Sequence, residues 1–324
     1  MNTTTSRLLI ETMIRRTIKN LEDSPKRELR NLVDLALQFS SSNFQSRFFR
    51  SVQTMLKNEN SAYYDLIHDT VAHVDEDRLV TFGMNIGYNG CKLGSKRIRD
   101  IEEIEKYNIP WSVTLHMTPD NYLKNKKTYD SIIEQGKSMG IYTWQCHIDS
   151  QPELLLPMAA AHPDCAFIIF CSPAAISPVL IDGAVELNNI MLAIRYEDGV
   201  EHICRSLRSH GLLYSIYYIY TRNDYNSIIN DDLFYSIQQL HPIFTALVSD
   251  SSCPKVMCET IYEHILVLRD RQSLQTILWE LKYDCSLIDS IISNEACIAE
   301  FLPNGALSLP YTQNIGTDCN LFHQ

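Results

Sequence analysis

Several features that assign a chain to a membrane or secreted class are missing from this one. Its 324 residues contain no apolar run near the ~20 residues that a transmembrane helix requires. Charges interrupt the apolar part of the N-terminal stretch MNTTTSRLLIETMIRR, which also lacks a small-residue cleavage site. We therefore expect no membrane partner and no signal peptide, and a cytoplasmic protein.

Positive charge is also scarce. Lys and Arg number 28 against 39 Asp and Glu, which gives a net charge of −11, and no long basic block occurs. Because proteins neutralise nucleic-acid phosphates with clustered Lys and Arg, the composition predicts no nucleic-acid partner. A hydrophobic fraction of 45% and a charged fraction of 21% are typical of a globular protein.

Common catalytic motifs are absent as well. The chain has no Gly-x-Ser-x-Gly, no Walker loop, no His-Glu-x-x-His and no glycine-rich dinucleotide turn. Its ten cysteines are scattered, and several fall within apolar runs. Cysteine packs as a small apolar residue in reducing compartments, so we expect mostly free thiols.

The periodicity of the apolar residues indicates three segments. Residues 1–78 read as an all-helical segment, 79–253 as alternating strands and helices, and 254–324 as C-terminal helices followed by a hairpin around Pro-Asn-Gly. Strand-like runs cover 79–86, 110–116, 141–147, 166–171, 189–195, 212–220 and 243–249. This even repeat predicts an α/β fold, a (β/α) TIM-type or partial barrel.

The loop after the first predicted strand is a candidate ligand site. It contains Gly87, Asn89, Gly90, Cys91 and Gly94. Backbone N–H groups in such a loop can bind an anion such as phosphate or carboxylate. An unoccupied loop with one buried thiol at Cys91 is the alternative.

A second candidate site lies at the predicted barrel mouth, where the carboxyl ends of parallel strands meet. The polar residues at those ends are His116, His147, Asp149, Arg195, Glu197, Tyr220, Arg222 and Asp250. His116, His147 and Asp149 are candidate ligands of a divalent metal or acid–base groups. A pocket for a small molecule and a merely hydrated rim are the alternatives.

Four stretches carry a resemblance to a known family: GYNGCKLG, VTLHMTPDNYL, KSMGIYTWQCHID and FLPNGALSLPY. They resemble the radical S-adenosylmethionine (radical SAM) superfamily, whose partial barrel has a Cys-x3-Cys-x2-Cys loop after its first strand. That spacing falls on Gly87, Cys91 and Gly94, so only the middle cysteine is kept. The family's Gly-Gly-Glu-Pro turn falls on 115–119, where only Pro119 is kept.

The resemblance implies a cofactor that these departures do not support. In the family, three thiolates hold a four-iron four-sulfur cluster, and the fourth iron binds S-adenosylmethionine. Glycine offers no ligand, so we expect neither the cluster nor S-adenosylmethionine. Cys253 and Cys258 are the other thiols that could join Cys91 in one site.

Three functions follow from these observations. The favoured one is a cluster-less, radical-SAM-like barrel that binds a small molecule or acts as a regulatory or accessory protein. Its N-terminal helices would either pack against the outer helices of the barrel or offer a surface to a protein partner, because amphipathic helices need to cover their apolar faces. The alternatives are a metal-dependent hydrolase or lyase at the barrel mouth, and a radical SAM enzyme with a non-standard cluster site.

Overall fold

The computed structural model describes residues 3–21, 24–38, 43–293 and 295–308. The α-helices are α1 (Thr3–Asn20), α2 (Pro25–Gln38), α3 (Asn43–Met55), α4 (Tyr63–His73), α5 (Glu76–Met84), α6 (Ser95–Glu105), α7 (Pro119–Met139), α8 (Leu156–Ala161), α9 (Pro178–Val185), α10 (Val200–Ser209), α11 (Tyr225–Ile229), α12 (Asp232–Gln238), α13 (Lys255–Arg271) and α14 (Leu281–Ile292). The strands are β1 (Ser112–His116), β2 (Thr143–His147), β3 (Ala166–Cys171), β4 (Ile190–Arg195), β5 (Tyr214–Tyr220), β6 (Phe244–Ser249), β7 (Ile277–Glu280), β8 (Ala299–Phe301) and β9 (Leu307–Ser308). No helix of these ranges has both the length and the apolar character needed to cross a bilayer.

The strands are ordered β7-β6-β5 in one compact unit and β4-β3-β2-β1-β8-β9 in the other, and the fold is a mixed α/β partial barrel. β1 is parallel to β2, β2 to β3, β3 to β4, β5 to β6, and β6 to β7. β8 is parallel to β1, and the hairpin partner β9 is antiparallel to β8. The predicted fold class and the predicted hairpin are therefore confirmed.

The chain forms two compact units. The first comprises Met1–Val80 and Asp198–Lys282, and the second comprises Thr81–Glu197 and Tyr283–Gln324. The division at residues 78 and 253 stays a prediction. Residues 309–324 of the predicted C-terminal segment, with Cys319, lie outside the described residues.

In the first unit, the N-terminal helices pack on one another around a small core. Leu21, Leu29 and Tyr64 are buried there. The backbone N–H of Ala62 donates to the carbonyl of Gln272 (2.9 Å), and the Gln272 side chain donates to the carbonyl of Met55 (3.1 Å). Gln272 ends α13 in the left-handed conformation (φ 55°), which turns its backbone toward the helices.

In the second unit, the two faces of the sheet differ in polarity. Trp144 on β2 faces α7, where Gly136 leaves room for the indole ring. The alternate residues Thr143, Gln145 and His147 define what we call the polar face. On that face the amide of Gln145 lies 3.5 Å from the Cys285 Sγ of α14.

The predicted strand over 79–86 is wrong, because this stretch is helical. Asp75 accepts a hydrogen bond from the backbone N–H of Arg78 (3.1 Å), as an N-cap does, and acidic residues follow it in the first turn of α5. Val80, Met84 and Tyr88 are buried at a spacing of one helical turn. The run of apolar residues was therefore the buried stripe of a helix.

The predicted C-terminal helices over 254–293 contain a strand, β7, that the sequence did not indicate. Its four residues pair with β6 in parallel. The hydroxyls of Thr245 and Thr276 lie 2.9 Å apart where the two strands begin. A strand this short has too few residues to show a period of two.

Candidate functional site

Three rings stack at the carboxyl ends of β1, β2 and β3. His116 is paired in register with His147, and His147 with Phe170. The two imidazole centroids are 4.7 Å apart, and the His147 and Phe170 centroids are 4.2 Å apart with nearly parallel planes (8°). The fold thus brings together two predicted site residues, and it adds Phe170, which the sequence did not indicate.

A carboxylate borders this stack. Glu300 Oε2 of β8 lies 3.7 Å from His116 Nε2, and both side chains are about one third exposed (34% and 32%). Glu300 is brought there because it pairs with Thr114 of β1. The hairpin was predicted, but its pairing with the first strand of the sheet is a long-range contact that periodicity does not reveal.

The middle of the stack is uncharged. Desolvation, with a smaller contribution from His116, lowers the pKa of His147 to about 3. The imidazole is therefore neutral near pH 7 and offers one N–H donor and one lone pair. Because both of its faces are covered by rings, only its edge is available to a ligand.

Arg195 and Glu197 follow along the same edge of the sheet. Ala193 pairs with Phe170, so Arg195, two residues later, lies on the polar face. Arg195 Nε is 3.5 Å from Glu197 Oε2, and the Arg195 side chain is 42% exposed. This ion pair is half in water and leaves the guanidinium accessible.

The proposed metal ligands are only partly brought together. His116 and His147 are in contact, whereas Asp149 lies exposed beyond the end of β2. Within the described part of the chain, no group of three His, Cys, Asp or Glu side chains is arranged to hold a metal ion. A metal site at His116, His147 and Asp149 stays a prediction.

The remaining mouth residues belong to the first unit. Tyr220 ends β5, is buried, and donates its hydroxyl to Glu280 Oε1 (3.4 Å) at the end of β7. The backbone N–H of Asp250 donates to the carbonyl of Tyr220 (2.9 Å), and Cys253 Sγ lies 3.3 Å from the same oxygen. Tyr220 and Asp250 are thus adjacent, and Arg222 lies in an exposed turn after β5.

The predicted ligand loop lies elsewhere. The residues Gly87, Asn89, Gly90, Cys91 and Gly94 belong to a π-helix, Asn85–Gly94. Asn89 donates to the carbonyl of Asp164 (2.8 Å), and Asn85 donates to those of Pro163 and Cys165 (both 2.9 Å), all just before β3. The prediction that this loop lies at the carboxyl ends of the strands is therefore wrong, because its contacts are at their amino ends. Its role in ligand binding stays a prediction.

The environment of Cys91 does not favour a metal-binding thiolate. Desolvation raises the pKa of its thiol to about 12, which keeps the sulfur protonated. A cluster ligand has to be deprotonated. In the metal-free protein Cys91 is thus a protonated thiol, and it is the one cysteine of the stretch GYNGCKLG.

A short turn follows β1 in place of a cysteine loop. Only Met117 and Thr118 separate β1 from α7, and the Thr118 hydroxyl caps the helix by accepting from the N–H of Asn121 (3.3 Å). No cysteine occurs between Cys91 and Cys146. The residues that directly follow β1 therefore offer no thiolate to an iron–sulfur cluster.

Comparison with known proteins gives a fold. No protein-family model and no curated protein matches the chain. Streptococcus suis SuiB, a radical SAM enzyme, is similar in structure, with a TM-score of 0.51 and 12% identity over 91% of this chain and 79% of SuiB. The structure of SuiB bound to S-adenosylmethionine matches with a TM-score of 0.51 and 12% identity, over 71% of this chain and 65% of SuiB. The structure bound to the precursor peptide SuiA matches with a TM-score of 0.51 and 14% identity, over 71% of this chain and 66% of SuiB. The chain spans just under two thirds of SuiB in these two matches, and its fold is radical-SAM-like.

Proposed function

We propose that this chain is a radical-SAM-like barrel that binds a small molecule at the carboxyl ends of β1–β4 and carries no iron–sulfur cluster. The direct passage from β1 into α7 carries the proposal, because it leaves neither a loop nor thiolates for a cluster. Without that cluster the protein has a binding, regulatory or accessory role. The free thiols of Cys146, Cys165 and Cys171 are in keeping with a cytoplasmic location.

The ligands of the similar structures support this type of role. SuiB has been crystallised with S-adenosylmethionine and with a precursor peptide. An organic ligand, or a peptide from a protein partner, therefore suits this fold. The N-terminal helices α1–α4 are our candidate surface for such a partner.

A metal-dependent hydrolase or lyase is the second candidate. The neutral state of His147 favours it, because metals bind the unprotonated imidazole. The stacking of His116 on His147 argues against a metal site. The two rings are only 26° from parallel, so their nitrogen lone pairs lie in nearly parallel planes. A shared metal ion needs lone pairs that converge on one point.

Anaerobic reconstitution with iron and sulfide tests the first proposal. We expect background iron and no brown chromophore, while a radical SAM enzyme with all three cysteines becomes coloured in the same experiment. A stable chromophore with stoichiometric iron would refute the cluster-less proposal. Replacing Cys91, or both Cys253 and Cys258, by serine would then identify the thiols that hold it.

Zinc titration of the purified protein tests the second candidate. If a metal binds at the stack, His116→Ala and His147→Ala should each weaken binding by tenfold or more, on the order of the effect of losing a ligand contact. His162→Ala is the control, because His162 lies before β3 at the amino edge. Equal zinc affinity in all four proteins would exclude this candidate.

A further inference from the structure

Side chains of opposite charge border the two ends of the stack on the polar face. We call Glu300, His116, His147, Phe170 and Arg195 the mouth row. Glu300 lies on β8 at one end and Arg195 on β4 at the other, with β1, β2 and β3 between them. The row is therefore negative at one end, positive at the other and aromatic in the middle.

Building on the proposed function, we infer that the ligand of the mouth row is dipolar, with a cationic group at Glu300 and an anionic group at Arg195. Both side chains are reachable from water, at 34% and 42% exposure. Among the described residues, Glu300 is paired with His116 at 3.7 Å and Arg195 with Glu197 at 3.5 Å, and both partners are themselves partly exposed. Such pairs contribute little to stability, so a ligand can replace them at small cost.

The middle of the row sets the chemistry of the central part of the ligand. The rings of His116, His147 and Phe170 cover one another's faces, so the imidazoles present edges. Imidazole edges can form hydrogen bonds with polar groups, and the ring of Phe170 offers apolar contacts. The stack therefore suits a ligand whose central part carries apolar and hydrogen-bonding groups.

The strands set the separation of the two charges. Four steps of ~4.8 Å separate β8 from β4 across the sheet. The pairing of the intervening strands makes Glu300 level with Met191, so Arg195 also lies four residues, or ~13 Å, further along the strand direction. A series of ω-amino acids with six, eight and eleven carbons therefore covers a range of charge separations.

Binding of ω-amino acids, followed by NMR titration, tests the inference. The probes are aminohexanoate, aminooctanoate and aminoundecanoate, with octylamine and octanoate as singly charged analogues. We expect aminooctanoate to bind at least about tenfold more tightly than either analogue of the same length, because each analogue lacks one charge-assisted hydrogen bond. Equal binding of aminooctanoate and one analogue, or no binding at all, would overturn the dipolar ligand.

Two variants locate the charges. Glu300→Gln should weaken the binding of aminooctanoate about tenfold and leave that of octanoate unchanged. Arg195→Gln should also weaken the binding of aminooctanoate about tenfold, and should leave that of octylamine unchanged. Glu186→Gln, in the turn after α9, and Lys96→Gln, on α6, replace exposed residues of the same unit and should change the binding of neither aminooctanoate nor its analogues. An unchanged affinity in either row variant would refute the assignment. The binding of ω-amino acids and the iron content after reconstitution are measured separately. A negative binding result would therefore overturn the dipolar ligand without bearing on the proposal that the protein has no cluster.

Discussion

The two edges of the sheet in the second unit treat their polar groups differently. At the amino edge, Asn85 and Asn89 are buried, and their side-chain amides donate hydrogen bonds to the backbone carbonyls of residues 163–165, just before β3. At the carboxyl edge, His116 and His147 stack on each other and keep their ring edges available. The hydrogen bonds of these buried amides stabilise the first edge, and the exposed ring edges suit the second for binding.

Buried carboxylates extend the same contrast. Glu102 accepts from the N–H of Ile109 (2.8 Å), and Asp289 accepts from the N–H of Trp111 (3.0 Å) and from that of Cys297. These bonds fix the chain just before β1 and β8. The acids of the amino edge are thus structural, whereas Glu300 at the carboxyl edge is partly exposed.

The largest effect should come from titrating Asp289. Burial raises its pKa to about 7 from an ordinary value of 3.8, so its contribution to stability is fully present below about pH 4 and is lost as pH rises through 7. That loss amounts to about 4 kcal/mol at most. In urea unfolding from pH 4 to 8, the free energy of unfolding of Asp289→Asn should fall less steeply with pH than that of the natural chain. Equal pH dependence in the two proteins would refute the raised pKa of Asp289.

Close packing of the π-helix gives the next effect. A Cβ at Gly94 would overlap the carbonyl of Gly140, whereas one at Gly87 would meet nothing within 4 Å. Gly94→Ala should therefore destabilise the protein by about 3 kcal/mol, as overpacking does. Gly87→Ala, the matched control, should be neutral or stabilising by up to about 1 kcal/mol. Similar unfolding free energies for both variants would contradict the tight amino edge.

At the carboxyl edge the pH effect reverses. The pKa of His147 is about 3 in the folded state against 6.5 ordinarily, so its contribution is present above pH 6.5 and is lost as pH falls. His147→Phe keeps a ring in the stack and removes this titration. The free energy of unfolding of the variant, compared with that of the natural chain, should be higher at pH 5 than at pH 7. The difference should be less than about 2 kcal/mol, since the half-buried ring still contacts water. No relative gain would argue for a solvated His147.

The smallest effect concerns Glu300. Its pairing with His116 is long and partly exposed, so Glu300→Gln should change the free energy of unfolding by less than about 0.5 kcal/mol. Thermal unfolding of the variant checks this. A loss above 2 kcal/mol would mean that Glu300 is structural, like Asp289, and the two edges would no longer differ.

The sequence allowed the sheet to be predicted but not the position of its first strand. Apolar runs with turns between them identified β1 to β6, and Pro-Asn-Gly identified the hairpin. The run at 79–86 was ambiguous, because a short apolar stretch fits a strand or a buried helix, and the cap at Asp75 was the clue that distinguished them. Because residues 79–86 were predicted as a strand, residues 87–94 were predicted at the carboxyl edge of the sheet, whereas they lie at the amino edge.

The candidate site was predicted in part for a similar reason. His116 and His147 each end an apolar run, so their meeting at one edge followed from parallel strands. Glu300 and Phe170 could not be assigned, since their places depend on which strands become neighbours. Periodicity within a segment does not contain that information.

Selective isotope labelling of histidine tests the central claim most directly. His116 and His147 report on the carboxyl edge, and His162, which lies before β3, reports on the amino edge. On addition of aminooctanoate, we expect the imidazole resonances of His116 and His147 to shift while that of His162 stays in place. Shifts at His162 with none at His116 or His147 would contradict a binding site at the carboxyl ends of these strands.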